Sequence, residues 1–265
     1  MKFRPHYRVA ILTFATVFAS LFIAGCGPQK SVKRIPPPPS PSANAEAQLR
    51  NGNFLSAAQQ YAQLANSSTT DKASRYQALA IFCYLDGEDR ETAFSIFNAS
   101  DRENADPLTT LAAIALGVDT QDGVSPTQRL ESIEQRRLSP YQRSVYDRVS
   151  GRLALAAGSY ASALSSFIAA DRYILPTAKR AQLHQDIWRS LSGMDSNSIA
   201  AARANSLRAE SPWLDLAIVV RTNMHEPAAL ADAIEQWRTN HQSHAANITL
   251  AEYLSELSED LSAKT

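Results

Sequence analysis

The chain lacks almost every feature that announces chemistry. There is no Gly-x-Ser-x-Gly elbow, no phosphate-cradling glycine loop and no Cys-x-x-Cys pair, which removes the commonest signals for hydrolases, nucleotide binders and thiol redox proteins. Charge of one sign is not in excess: 26 basic residues meet 26 acidic ones, so nothing draws the chain to nucleic acid. Cysteine is scarce, and Cys26 and Cys83 are the whole supply; once Cys26 is modified no internal disulfide can form. The one close histidine pair, His241-x-x-His244, lacks an HExxH pattern and reads as a solvated loop, not a metal site. Glu256, Glu259 and Asp260 read as the solvated face of a helix, not an acid/base pair. No catalytic residue, metal, cofactor or small-molecule substrate is expected, and the chain is expected not to be an enzyme.

What the chain does have is a period. Gly52, Gly87, Gly123, Gly158 and Gly193 are spaced 35, 36, 35 and 35 residues apart. A fixed spacing of this size marks stacked helical pairs, because one pair cannot bury its own apolar face. Gly158 is followed by Tyr160, Ala163 and Phe167, and Gly52 by Phe54, Ala57 and Tyr61. One period beyond Gly193, Ala228 stands at the glycine position, with Leu230, Ala233 and Trp237 at the same offsets. A glycine suits the turn, a small alanine lets two helices approach, and the aromatic fills the space between them. The Gly87 unit fits only with a one-residue shift, to Ala93 and Phe97, and Gly117 and Gly151 lie off the ladder. The pattern resembles the tetratricopeptide repeat. It implies an all-α, right-handed, TPR-like solenoid of about six helix pairs.

The first 25 residues read as a secretory signal. Lys2, Arg4 and Arg8 precede an uncharged apolar run from Val9 to Ile23, too short for a membrane span. Ile23-Ala24-Gly25-Cys26 then resembles the lipobox of bacterial lipoproteins, which makes Cys26 the expected lipid-attachment residue. Several acyl chains on one residue anchor far more firmly than one. By the same resemblance, Gly27 after the cysteine favours the outer membrane, with the chain facing the periplasm. Removing the leader leaves 23 basic against 26 acidic residues, a charge of about −3. Residues 26–42 form the anchor and a linker, in which Pro36 to Pro39 and Pro41 favour polyproline II. At about 3.1 Å per residue such a linker reaches on the order of 50 Å. Asn247-Ile248-Thr249 matches a glycosylation sequon, for which a bacterial lipoprotein has little use.

No strand pattern is found from about residue 43 onward, and Ala, Leu, Gln and Arg favour helix throughout. Helices are expected near 43–51, 54–66, 71–86, 89–99, 107–116, 126–136, 140–156, 159–173, 177–192, 196–207, 212–223 and 227–240. Ser139-Pro140 and Ser211-Pro212 each offer an N-cap followed by proline at the first helical position. Cys83 ends a stripe with Tyr76, Leu79 and Ala80 and reads as a buried small hydrophobe. The solenoid is assigned to residues 43–246. Residues 247–265, with Leu250, Tyr253, Leu254, Leu257 and Leu261 on one face, are read as a C-terminal capping helix and tail. Arg75, Arg148, Arg152 and Arg189 are candidates to line an inner groove.

Three words in the second half carry a more specific resemblance. Ile187-Trp188-Arg189-Ser190-Leu191 is followed by Trp213-Leu214-Asp215-Leu216-Ala217, and then by Trp237 and His244-Ala245-Ala246. Their order resembles the TPR-like N-terminal domain of the LpoA family, outer-membrane lipoprotein activators of a class A penicillin-binding protein. The resemblance implies a periplasmic scaffold near peptidoglycan synthesis, whose partner is such a synthase or another envelope lipoprotein. In that family a second domain, built like a periplasmic substrate-binding protein, follows about where this sequence stops at Thr265. Activation by the family's route is therefore not expected to carry over directly. The competing reading is a TPR lipoprotein adaptor for outer-membrane protein assembly, similar to BamD, or for cell-wall hydrolases. A glycan-cleaving enzyme would need a catalytic domain that the sequence does not reveal.

Overall fold

Capping and turn residues divide the chain into short antiparallel helices, and a computed structural model describes residues 40–100, 106–118, 123–173, 177–206 and 210–250 of it. These residues lie in one unit that begins at Ser40. Among them there is no strand. The twelve helices are α1 (Ala43–Arg50), α2 (Phe54–Asn66), α3 (Thr70–Asp86), α4 (Arg90–Ala99), α5 (Pro107–Leu116), α6 (Pro126–Glu131), α7 (Pro140–Ala156), α8 (Tyr160–Asp171), α9 (Thr177–Gly193), α10 (Ser196–Ala204), α11 (Ser211–Asn223) and α12 (Pro227–Asn240). They fall into six consecutive pairs, as the period predicts. The leader, Cys26, the linker and the C-terminal stretch from residue 251 onward lie outside the described residues; Leu250 is described and fully buried.

Local chemistry explains most of the boundaries. Ser139 and Gln142 form a reciprocal capping box, with Pro140 in the first turn of α7. Ser125, Pro126 and Gln128 do the same for α6, a signal the sequence reading passed over. Two expectations fail. The helix expected over 126–136 stops at Glu131, and Gln135–Arg137 is a separate 3₁₀ turn. Ser211 is not a cap: α11 begins at Ser211 itself behind Glu210, and the Ser211 hydroxyl meets that of Ser206 at 3.1 Å.

The glycine ladder turns out to mix three duties. Gly52 and Gly158 adopt positive φ after α1 and α7, and Asn53 N–H and Ser159 N–H donate back to the Gln48 and Ala154 carbonyls. That is the left-handed helix stop for which glycine is favoured. After α5 the residue in this role is Gly117, off the ladder; Gly123, also at positive φ, sits in the loop before α6. After α3 it is Glu88, at φ 65°, while Gly87 has an ordinary negative φ. This accounts for the one-residue shift of that unit. Gly87 and Gly193 instead admit a neighbour. A Cβ on Gly87 would stand 2.6 Å from Leu55, and one on Gly193 would stand 2.2 Å from the Tyr160 ring. In both cases the residue comes from the start of the preceding pair's second helix.

The repeat alanines and aromatics of the glycine-led units are buried as expected, whereas Ala233 in the Ala228 unit is only half-buried. Ala57, Ala93 and Ala163 are inaccessible, and Tyr61, Phe97, Phe167 and Trp237 fill the spaces beyond them. The core is two clusters. One runs from Ala45 to Val149 and centres on α3 and α5, and the other runs from Ala163 to Leu250. Arginines close two helix ends: Arg90 donates to the Leu116 carbonyl and Arg221 to that of Leu191, where the helix dipole favours a cation.

Candidate functional site

The four arginines expected to line a groove have different fates. Arg148 is buried between α3 and α7 and makes a bidentate pair with Asp86, at 2.7 and 3.0 Å. The Tyr141 hydroxyl donates to the same carboxylate at 2.9 Å. Arg148 is therefore a structural ion, not a groove residue. Burial alone would raise the Asp86 pKa, but Arg148 and Tyr141 hold it below the usual carboxylate range. Arg152 and Arg189 both turn to Asp186, at 3.8 and 3.0 Å. Only Arg75 lines a sizeable cleft in the way expected.

The Asp86–Arg148 bond joins the second and fourth pairs directly, past the short third pair of α5 and α6. Lys179 on α9 adds a contact to Glu88 at 3.5 Å, so the C-terminal end of α3, the middle of α7 and the first turns of α9 converge around a small cavity of about 220 Å³. Cys83 sits beside this network, fully buried, with its thiol pushed up to about 12 by burial. A thiol in that state is inert.

The cleft that holds Arg75 has a volume of about 790 Å³ and is lined by α1, α2, the first half of α3, the N-terminal turn of α7 and the segment after α8. Its floor is apolar and aromatic. Phe54 and Leu79 are buried, and the rings of Tyr61 and Tyr76 stack with centroids 6.2 Å apart. Its rim is cationic: Arg50, Lys72, Arg75 and Arg172 all line it and all are exposed. Burial raises the Tyr61 pKa, so its phenol stays neutral. Among the residues that line it, no nucleophile is paired with a base.

A second cleft of about 650 Å³ shares Arg172 with the first and is walled by Trp213 and the segment Thr239–Ala245. Here the histidine pair is not the solvated loop expected. The His244 ring lies edge-on to Trp213 and Trp237, with centroids 5.3 and 5.8 Å away, and it accepts the Ala246 N–H. Burial, with His241 nearby, lowers its pKa to about 4. His184, fully buried, bridges Asp171 and Thr249. Among the described residues no cluster of three or more ligating side chains is placed to hold a metal. The Asn247 amide donates to the His241 and Gln242 carbonyls.

The words that carried the family resemblance meet in this corner. Trp188 and Trp213 are edge-to-face at 5.1 Å, and the Trp237 indole donates to the Pro212 carbonyl at 3.1 Å. The tryptophans are core residues, and spacing alone could not have shown that three distant words form one packing unit. The family described as "LppC putative lipoprotein" matches residues 52–262. The chain belongs to the LppC lipoprotein family. It is similar to the penicillin-binding protein activator LpoA of Mannheimia succiniciproducens, 26% identical over 126 residues, which cover 48% of this chain and 22% of that protein. The penicillin-binding protein activator LpoA of Pasteurella multocida is 28% identical over 147 residues, covering 56% and 25%. The chain thus matches about a quarter or less of the length of these curated relatives. Among solved structures, the LpoA N-terminal domain from Haemophilus influenzae superposes with a TM-score of 0.63 at 17% identity, covering 80% of this chain and 99% of that domain. The E. coli LpoA amino-terminal domain gives 0.56 at 21% identity, covering 76% and 91%. The LppC chain and these domains share a fold.

Proposed function

We propose that the chain is a non-enzymatic scaffold that supports peptidoglycan synthesis by binding a class A penicillin-binding protein or one of its envelope partners. The observation that carries this reading is the family membership, together with a helical array that overlays nearly the whole of an LpoA N-terminal domain. Stacked helical pairs present extended surfaces and bind proteins far more often than they catalyse. In this reading residues 1–25 are a cleaved signal, Cys26 carries the lipid, residues 26–42 space the helical part from the outer membrane, and 247–265 cap the array. No helix among the described residues is long and apolar enough to cross a membrane.

Two measurements test this. Crosslinking the tagged, lipidated protein in envelope membranes is expected to recover a class A penicillin-binding protein; recovery of barrel-assembly components alone would sink the cell-wall reading. Cys26→Ser is expected to move the protein from the membrane fraction to the soluble periplasmic fraction. Persistence of the variant in the outer membrane would remove the lipid anchor from the proposal.

A further inference from the structure

Cations on this chain are mostly spoken for. Arginines and lysines along α7, α9, α10 and α12 pair with carboxylates, and Arg90, Arg129 and Arg221 bond to backbone carbonyls. Arg50, Lys72, Arg75 and Arg172 are different: each is exposed, none makes a salt bridge or hydrogen bond with another described residue, and all four line the same cleft. Glu46, which accepts the Ser42 hydroxyl at 2.5 Å, is the one carboxylate among the described lining residues, so the four cations still leave the lining with an excess of positive charge. The first turn of α7, headed by Pro140, lines the same cleft and brings the positive end of a 17-residue helix with it.

We propose that this cleft docks an acidic peptide segment with interspersed apolar side chains, presented by a protein partner. The charge on the rim calls for carboxylates, and the floor of Leu49, Phe54, Tyr61 and Leu79 calls for apolar side chains between them. At about 790 Å³ the cleft is of the size that encloses a compact ligand, within the usual range of about 300–1,000 Å³. A sugar chain fits the lining less well. Sugar hydroxyls need paired donors and acceptors, and the one amide in the cleft, Gln142, has its oxygen committed to the Ser139 N–H. The acidic-peptide cleft would be the contact through which the scaffold holds its partner, and to that extent it rests on the scaffold reading. The pull-down identifies the partner, whereas binding by the isolated cleft is read with a synthetic probe, so either can fail without the other.

The probe is a fluorescein-labelled decapeptide alternating glutamate with leucine, compared with its glutamine–leucine counterpart by fluorescence anisotropy on the full chain. The glutamate peptide is expected to bind about ten-fold tighter, with the difference shrinking between about 25 and about 300 mM salt. Lys72→Glu combined with Arg75→Glu is expected to abolish that preference with an unchanged far-ultraviolet circular dichroism spectrum. Arg136→Glu, on an exposed turn that does not itself line the cleft, is expected to leave it intact. Should the double reversal fail to fold, Lys72→Gln with Arg75→Gln serves in its place. Equal binding of the two peptides, an equal loss in the Arg136→Glu control, or displacement of the glutamate peptide by the neutral sugar chitotetraose would each overturn the proposal.

Discussion

Asp86 and Arg148 show how a single pair can be both costly and necessary. Each side chain is about nine-tenths buried, and each is tolerable only because the other, with Tyr141, completes its hydrogen bonds. Asp86→Ala therefore leaves a guanidinium buried without a counter-ion and is expected to cost about 3–5 kcal/mol in urea denaturation. Replacing both at once, with Leu and Met, is expected to recover most of that loss. His244 makes a different prediction, because its lowered pKa sets the sign. Unfolded, the ring takes up a proton near pH 6.5, and folded it does so only near pH 4. Stability is thus full above pH 6.5 and falls as pH drops towards 4. His244→Asn, which keeps an acceptor for the Ala246 N–H, is expected to lose less stability than the wild type over that window. The carboxylates with lowered pKa, Asp86, Asp171 and Asp195, act below it, as pH falls under about 4. None of this was legible in the sequence. Arg148 looked like any other helix-surface arginine, and nothing in a spacing tells that its partner is 62 residues away.

Among elements, much was legible, because helix boundaries here are set by local chemistry. Proline in the first turn, serine caps and the Gly52 and Gly158 stops act within four or five residues, and the expected helices match to within a residue or two over most of the chain. The misses have local causes too. Glu88 took the left-handed position that the neighbouring Gly87 advertised, and α6 was cut short at Glu131 ahead of a 3₁₀ turn. Glycines that admit a neighbour and glycines that bend the chain look alike in sequence, but they respond differently to substitution. Gly193→Ala is expected to overpack against Tyr160 by about 1–3 kcal/mol, and Tyr160→Leu is expected to relieve part of that cost in a double-mutant cycle. Gly158→Ala meets nothing within 4 Å; its cost of about 1–2 kcal/mol comes from positive φ alone, and no neighbouring substitution is expected to rescue it.

At the scale of the whole described array, the two core clusters meet between α7 and α8, and all three tryptophans belong to the second. Tryptophan fluorescence therefore watches one half, while circular dichroism watches both. Phe82→Ala, in the first cluster, is expected to remove about 3–5 kcal/mol. It should shift the dichroism transition to lower urea while the fluorescence transition moves little; coincident shifts would mean that the halves unfold as one. The candidate cleft belongs to this scale as well. It gathers residues from five separate segments, which is why the sequence offered Arg75 only among four candidate arginines and gave no hint that Arg172 lines the same cleft. The contacts of Leu55 over Gly87 and Tyr160 over Gly193 also give the array a grammar. At both joints a side chain of one pair lies over a glycine of its successor, Tyr160 half-buried and Leu55 still exposed, so pairs are not interchangeable beads. Duplicating or deleting one by recombination would set a bulky side chain against a filled position, or leave a hollow with nothing to receive. The length of this array is consequently held in place by its own joints, and repeat number should drift far less than in arrays built from identical units.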